Sequence, residues 1–203
     1  MIGLVILAAG ASKRMGTPKQ LLTYKGKSLI RHSALVALGS LASQCVAILG
    51  ANAESILPEI AHLTINQKLL KVVHNADWEE GMASSIRLGI ETLANEKGKL
   101  EAVIFMLCDQ PFVDSEIINE LIATFRKTKD SIVACTYQSD TIGVPALFAK
   151  EVFPALLDLR GDAGARKIIQ KFADRLTTIS FPQGDMDIDT PEAYQNLKNI
   201  KPQ

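Results

Sequence analysis

"IGLVILAAGASKRMGTPKQLLTYKGK", residues 2–27, is the stretch whose reading decides the fold. An unbroken apolar run from Ile2 to Leu7 (Gly3 apart), rich in β-branched residues and closed by Ala8-Ala9-Gly10, has the composition of a central strand buried on both faces. Three cations follow within seven positions, Lys13, Arg14 and Lys19. Gly10 and Gly16 allow tight turning and close approach of successive N–H groups to a ligand. Amide donors and cations gathered past the carboxyl end of a strand suit an anion. By spacing alone, the same turn serves equally as a plain connection with solvated lysines. Neither familiar phosphate template is present. There is no G-x-G-x-x-G, and Gly26-Lys27-Ser28 has Leu21 where a P-loop needs its first glycine.

Beyond this stretch the chain alternates strand-like and helix-like segments, with no proline-rich linker, repeat or low-complexity tract to divide it. Ile30, Ala34, Ala37, Leu38 and Leu41 recur at helical spacing. "CVAILG" (45–50) reads as a second buried strand, 54–63 as a weaker helix and "LLKVVH" (69–74) as a third strand. "AVIFMLC" (102–108) is a strong strand that runs into Asp109-Gln110-Pro111, and 115–127 is an amphipathic helix capped by Asp114. "SIVACTY" from Ser131 is another strand. "GVPALF" (143–148) contains Pro145, which points to an edge strand or a substrate-facing rim. The pattern predicts one α/β domain over 1–203, a Rossmann-like three-layer sandwich around a mostly parallel mixed sheet.

In open parallel sheets ligands gather at the carboxyl ends of strands. Four further segments meet that condition or carry suitable groups. After Asn75 come Trp78 and "EGMASSIRLG", in which Ser84 is a candidate N-cap and the amides and hydroxyls of Gly81, Ser84 and Ser85 could face a nucleotide. Asp109 reads either as a turn aspartate before proline or as a magnesium ligand, since magnesium takes one or two protein carboxylates and completes its shell with phosphate oxygens and water. "LRGDAGARKII" (159–169) reads as a turn into a helix capped by Asp162, or as a second phosphate subsite built from Gly161, Gly164, Arg160 and Arg166. In "MDIDTP" (186–191) Asp187 and Asp189 should share one face of a short strand. Thr190 and Pro191 open the last helix.

Composition limits the partners. The 203 residues can bury roughly 70% of the unfolded chain's surface in one core. Lysine plus arginine balance aspartate plus glutamate at 22 each, so no global field favours nucleic acid or an anionic membrane. Cys45, Cys108 and Cys135 are odd in number and set in apolar runs, as reduced core thiols are. Met1 leads straight into the apolar run without a basic n-region, and no segment approaches the roughly 20 apolar residues of a membrane span. A cytoplasmic protein acting on small molecules is expected. His32, His62 and His74 have neither metal nor triad spacing, and no serine sits in a G-x-S-x-G elbow.

"LAAGASKRMGTPKQLL" resembles the signature L-A-(A/G)-G-x-x-x-R-M-G-x-x-K of the nucleotidyltransferases that make molybdenum cofactor dinucleotides, the MobA-like NTP transferases, and most closely the cytidylyltransferase (MocA-like) branch. Asn75, Trp78, Gly81, Met82 and Ser85 match the family's N-x-x-W-x-x-G-M-x-x-S element. Asp109-Gln110-Pro111 matches its D-x-P motif and Asp189-Thr190-Pro191 its closing D-T-P. G-x-P-x-x-F and G-D-x-G-A-R resemble acceptor-side elements of the cytidylyltransferase branch. The likeness runs from Ile2 to Tyr194, departing at Thr23-Tyr24-Lys25, where relatives often carry a proline.

The resemblance implies a nucleotide site of Leu7, Ala8, Ala9, Gly10, Lys13, Arg14, Lys19, Asn75, Gly81, Ser84 and Ser85, with Arg14 and Lys19 catalytic. It implies magnesium on Asp109 and Asp189, with Asp187 a further candidate. The acceptor would meet Gln110, Pro111, Gly143, Pro145, Gly161, Asp162, Gly164 and Arg166. The implied reaction is transfer of CMP from CTP to the phosphate of a molybdopterin-type cofactor, in transient contact with a molybdenum hydroxylase. Ala9, where guanylyltransferases have glycine, points to CTP. Use of GTP, a sugar or polyol phosphate acceptor, and a non-catalytic cofactor carrier remain as alternatives.

Overall fold

The strand that opens the chain is buried at every position, because it is paired on both edges and packed on both faces. The computed structural model describes residues 1–66, 70–96, 98–188 and 190–199. In chain order the strands are β1 (Ile2–Ala8), β2 (Thr23–Tyr24), β3 (Lys27–Ser28), β4 (Gln44–Leu49), β5 (Leu70–His74), β6 (Ala102–Leu107), β7 (Ile132–Thr136), β8 (Ile142–Ala149) and β9 (Leu176–Ser180). The helices are α1 (Leu29–Gly39), α2 (Ala53–Asn66), α3 (Met82–Ala94), α4 (Ser115–Thr128), α5 (Phe153–Leu157), α6 (Ala165–Lys171) and α7 (Pro191–Asn199). Residue 69, the expected start of the third strand, lies outside the described residues.

Seven strands form one sheet in the order β5-β4-β1-β6-β8-β7-β9, and only β8 runs against its neighbours. Alternation along β1 sorts the core into two layers. Leu4 and Ile6 join residues of α1, α2 and α4, while Val5 and Leu7 join residues of α3, α5 and α6. Leu4, Val5 and Ile6 are fully buried, each contributing about 1.5–3 kcal/mol. The result is an α/β three-layer sandwich. A third, smaller cluster of Leu29, Ile188 and Leu197 seats α7 beside the β2–β3 hairpin, and the Tyr194 hydroxyl donates to the carbonyl of Thr23 at 3.0 Å.

Three local expectations are corrected. β8 is an interior strand, not an edge. Its ladder to β6 starts at Ala146, and its pairing with β7 shifts register between Ala134 and Cys135, so Pro145 falls where neither neighbour requires its missing N–H. Residues 186–188 form no strand. Helix α3 begins at Met82 with Gly81 in the cap position, and α6 begins at Ala165 with Gly164 there. Ser84 and Asp162 are therefore not caps. By contrast Asp114 caps α4 as expected, accepting from the Ile117 amide at 2.9 Å. No described helix is long and apolar enough to cross a membrane.

β1 pairs with β4 on one side and β6 on the other, so the connections from its two flanks diverge. This is the switch point at which an open α/β sheet leaves a crevice outside its carboxyl ends.

Candidate active site

Into that crevice the chain sends one basic loop and one acid. The loop after β1 is folded around a polar residue that the sequence reading did not single out. Gln20 has no exposed surface, and its Nε2 donates to the carbonyls of Ala8 at 2.9 Å and Gly10 at 2.8 Å. Its Oε1 accepts from Ser12 Oγ at 3.3 Å, and that oxygen in turn accepts the Lys19 amide at 3.0 Å. Two ends of the loop are thereby closed on one amide side chain. Gly10, Lys13 and Arg14 remain exposed at the crest. Local sequence carries no signal for this brace, since the carbonyls it satisfies face one another only after the loop has turned.

Lys19 is carried from the foot of the loop to the end of β6, where its Nζ pairs with Asp109 Oδ2. Asp109 is 5% exposed. The Ile188 amide donates to the Asp109 carbonyl at 3.2 Å, so the segment holding Asp187 is tied to the same strand end. Asp187 is exposed, and Asp189 lies outside the described residues. Thr190 Oγ1 accepts from the Ala193 amide at 3.2 Å, the N-terminal cap expected of it. Cys108, next to Asp109, has its thiol pushed up to about 12 by burial, with the Asp109 charge adding to it. It is an inert core thiol.

Asn75, Ser84 and Ser85 serve the architecture. All three are buried, and Asn75 Nδ2 donates to Ser84 Oγ at 2.8 Å and Ser85 Oγ at 2.9 Å. Asn75 Oδ1 accepts from the Asp77 amide and Ser84 Oγ donates to the Gly81 carbonyl, so these polar atoms are engaged inside the protein and fix the start of α3.

The expected nucleotide residue Gly81 and acceptor residues Gly161 and Asp162 come together, Gly161 through its backbone and Asp162 through its side chain. The Ala83 amide donates to the Gly161 carbonyl at 3.0 Å. Arg87 fastens this junction, donating from Nη1 to the Leu159 carbonyl at 2.7 Å and from Nη2 to Glu80. Gly164 sits on the Met82 sulfur. Arg166 is exposed and lines, with Ile142 and Ile169, a cavity of about 390 Å³.

On the other flank Gln110 is buried, and its Nε2 donates to the carbonyls of Gly184 at 2.8 Å and Val144 at 3.0 Å. Tyr137, also unforeseen, donates its hydroxyl to Val144 and lies against Gly143, and its phenol is pushed well above its ordinary value, mainly by burial. Val144–Pro145 is a cis peptide and Pro111 is buried. The wall thus joins Gln110, Pro111, Gly143 and Pro145 in one place.

This arrangement has counterparts in known proteins, and residues 4–176 match the family model described as the MobA-like NTP transferase domain. The chain belongs to the MobA-like NTP transferase family. Within that family's likeness, it is 31% identical over 202 residues to nicotine blue oxidoreductase of Paenarthrobacter nicotinovorans, covering 95% of this chain and 94% of that one. It is 27% identical to purine catabolism protein PucB of Bacillus subtilis, covering 96% and 94%. The crystal structure of Rv0371c from Mycobacterium tuberculosis H37Rv superposes with a TM-score of 0.80 at 29% identity, over 97% of this chain and 96% of that one. A second crystal structure of Rv0371c, in complex with manganese, gives a TM-score of 0.76 at 26% identity over 98% and 99%.

Proposed function

We propose that the chain transfers CMP from CTP to the phosphate of a molybdopterin-type cofactor, releasing pyrophosphate. The observation that carries this reading is the pairing of Lys19 with Asp109. It brings the basic loop and the acid, 90 positions apart, to one point of the switch-point crevice.

A divalent cation, magnesium by the family resemblance, suits the chemistry of this donor set. Asp109 offers a hard carboxylate at a strand end, and Asp187 stands on the segment tied to it. No three acid, histidine or cysteine side chains converge among the described residues, so the remainder of the shell would come from phosphate oxygens and water. Asp189 would join from the same segment. The manganese complex of Rv0371c supports a metal of this class. Bound at Asp109, the ion would polarise the phosphate oxygens and offset their charge.

The rest falls to the chain's own groups. Lys13 and Arg14 at the crest, and Lys19 at the foot, would hold the triphosphate, with Arg14 and Lys19 neutralising charge as it grows in an in-line displacement at the α-phosphorus. The backbone at Gly10 would approach it closely. No general base is needed, because a phosphate monoester has its second pKa at about 6 and is already nucleophilic near neutrality. The Gly161–Arg166 stretch and the Gln110–Gly143–Pro145 wall would orient the acceptor. Ala9, where guanylyltransferase relatives carry glycine, supports CTP over GTP through the family resemblance alone.

The test is pyrophosphate release with each of the four nucleoside triphosphates and candidate acceptors, in magnesium. CTP with a molybdopterin-type phosphate should give turnover, and Asp109→Ala should lower it by at least about a thousandfold in a folded protein. A clear preference for GTP overturns the CTP assignment, and an active Asp109→Ala variant overturns the site. The 31% identity to nicotine blue oxidoreductase supports a second reading, in which the basic loop holds the diphosphate of a redox dinucleotide. Oxidation of a reduced dinucleotide without pyrophosphate release would favour it.

A further inference from the structure

We infer that Lys19 serves two anions in turn, as the built-in counter-ion of Asp109 in the resting protein and as a phosphate ligand once nucleotide arrives. A divalent cation alone is thereby kept out, and cation and nucleotide enter together. This inference deepens the nucleotidyl-transfer reading and rests on it.

A carboxylate buried as deeply as Asp109 has lost most of its hydration and requires a compensating charge. The structure provides it from Lys19, whose side chain is 19% exposed while that of Asp109 is 7% exposed. The lysine backbone is fixed. Its amide is held by Ser12 Oγ at 3.0 Å, and the next residue is the buried Gln20 that closes the loop. Only the ammonium head, on a flexible four-carbon stem, is placed to move without unmaking the loop. It sits between two destinations, the acid behind it and the exposed crest carrying Lys13 and Arg14.

A divalent ion arriving without nucleotide meets an oxygen already engaged and a like charge at close range, where partial burial weakens screening. A triphosphate removes both obstacles. Its oxygens draw the ammonium away, and they also supply ligands that complete the ion's shell beside Asp109. Linkage then requires that each ligand strengthen the other by the same factor.

The measurement is titration of Mn²⁺, read by electron paramagnetic resonance, into the whole chain and its Lys19→Gln, Lys19→Arg and Asp109→Asn variants. Each is titrated with and without CTP, and without acceptor. Lys19→Gln should bind Mn²⁺ alone about tenfold more tightly than the parent, within the usual span of site coupling, while Lys19→Arg stays at the parent's level. The enhancement by CTP should shrink in Lys19→Gln. Mn²⁺ binding by Lys19→Gln no tighter than the parent's overturns the inference.

Asp109→Asn separates this failure from a broader one. If, with CTP present, it binds Mn²⁺ as the parent does, Asp109 holds no metal and the metal assignment of the proposed function falls as well. If it loses that binding while Lys19→Gln binds Mn²⁺ alone no more tightly than the parent, only the counter-ion role falls. Should Lys19→Gln prove unstable, its melting temperature becomes the readout. Mn²⁺ should raise it by several degrees more than it raises the parent's, and an equal rise overturns the inference.

Discussion

Two glycine-bearing turns look alike in the sequence and are opposites in the structure. At the crest of the loop after β1, a methyl built on Gly10 would meet nothing within 4 Å. At the start of α3, a methyl on Gly81 would lie 2.5 Å from the Gly161 carbonyl carbon and 2.6 Å from Asp162 Oδ1. The first turn is open above and braced from below by Gln20. The second is filled by the protein itself, the Gly161 carbonyl and the Asp162 side chain. A glycine in a motif can therefore reserve room for a ligand or for another stretch of the same chain, and only tertiary structure tells which.

The largest expected effect breaks the closed turn. Gly81 has φ +115°, outside the range of ordinary L residues, and beside Asp162 Oδ1 its neighbours there are the carbonyl carbon and oxygen of Gly161, backbone atoms that cannot yield. Gly81→Ala should cost about 3 kcal/mol or more of unfolding free energy, from strain and overlap together. Chemical denaturation checks it, and a loss under about 1 kcal/mol would mean the junction is loose. Next comes the brace of the open turn. Gln20→Ala leaves the Ala8 and Gly10 carbonyls without their donor, and at about 1–3 kcal/mol for an unmatched buried group the loss should be about 2–3 kcal/mol. Gly10→Ala should then divide the two turns cleanly. Its stability should change by less than about 0.5 kcal/mol, yet the KM for CTP should rise about tenfold if phosphate approaches that backbone. An unchanged KM would remove the open turn from the site.

What could be read in advance, and what could not, follows the range of the forces involved. The buried run of β1, the alternation of strands and helices and the Asp114 cap are local patterns, and the structure keeps them. The convergence of Lys19 with Asp109 is not local. No periodicity relates residues 90 positions apart, and only the family likeness placed them in one site. Ser84 and Asp162 have the residue type of caps, but Asn75 engages the Ser84 hydroxyl and the Gly81–Gly161 junction fixes both helix starts. Pro145 misled because the rule against proline in an interior strand assumes an unbroken ladder, whereas β7 shifts register opposite it. Gln20 and Tyr137 gave no signal at all, since their partners are carbonyls that come within reach only after folding.

The smallest expected effect separates the two regions by pH. The closed junction is held by Glu80 and Arg87. The hydrogen bond from Arg87 holds the Glu80 carboxyl below its ordinary range and raises the guanidinium further, so between pH 5 and 7 both stay charged. The open side rests on His32, half-buried in α1 beneath the turn that follows Asp109, edge-on to Tyr24 at 5.3 Å. Burial lowers its pKa, with the Lys25 and Lys27 charges adding, although hydrogen bonding to the backbone at Pro111 and Val113 pulls the other way. A histidine lowered on folding takes up its proton more readily when unfolded. Its contribution to stability is complete above the unfolded value of about 6.5, falls as the pH drops through it, and levels off below the folded value. Melting temperature should therefore decline between pH 7 and 5. His32→Gln, which cannot titrate, should flatten part of that decline, whereas Arg87→Met should leave its slope unchanged. If the slope follows Arg87 and ignores His32, the pH-sensitive side is the closed junction, and the division drawn between the two turns is reversed.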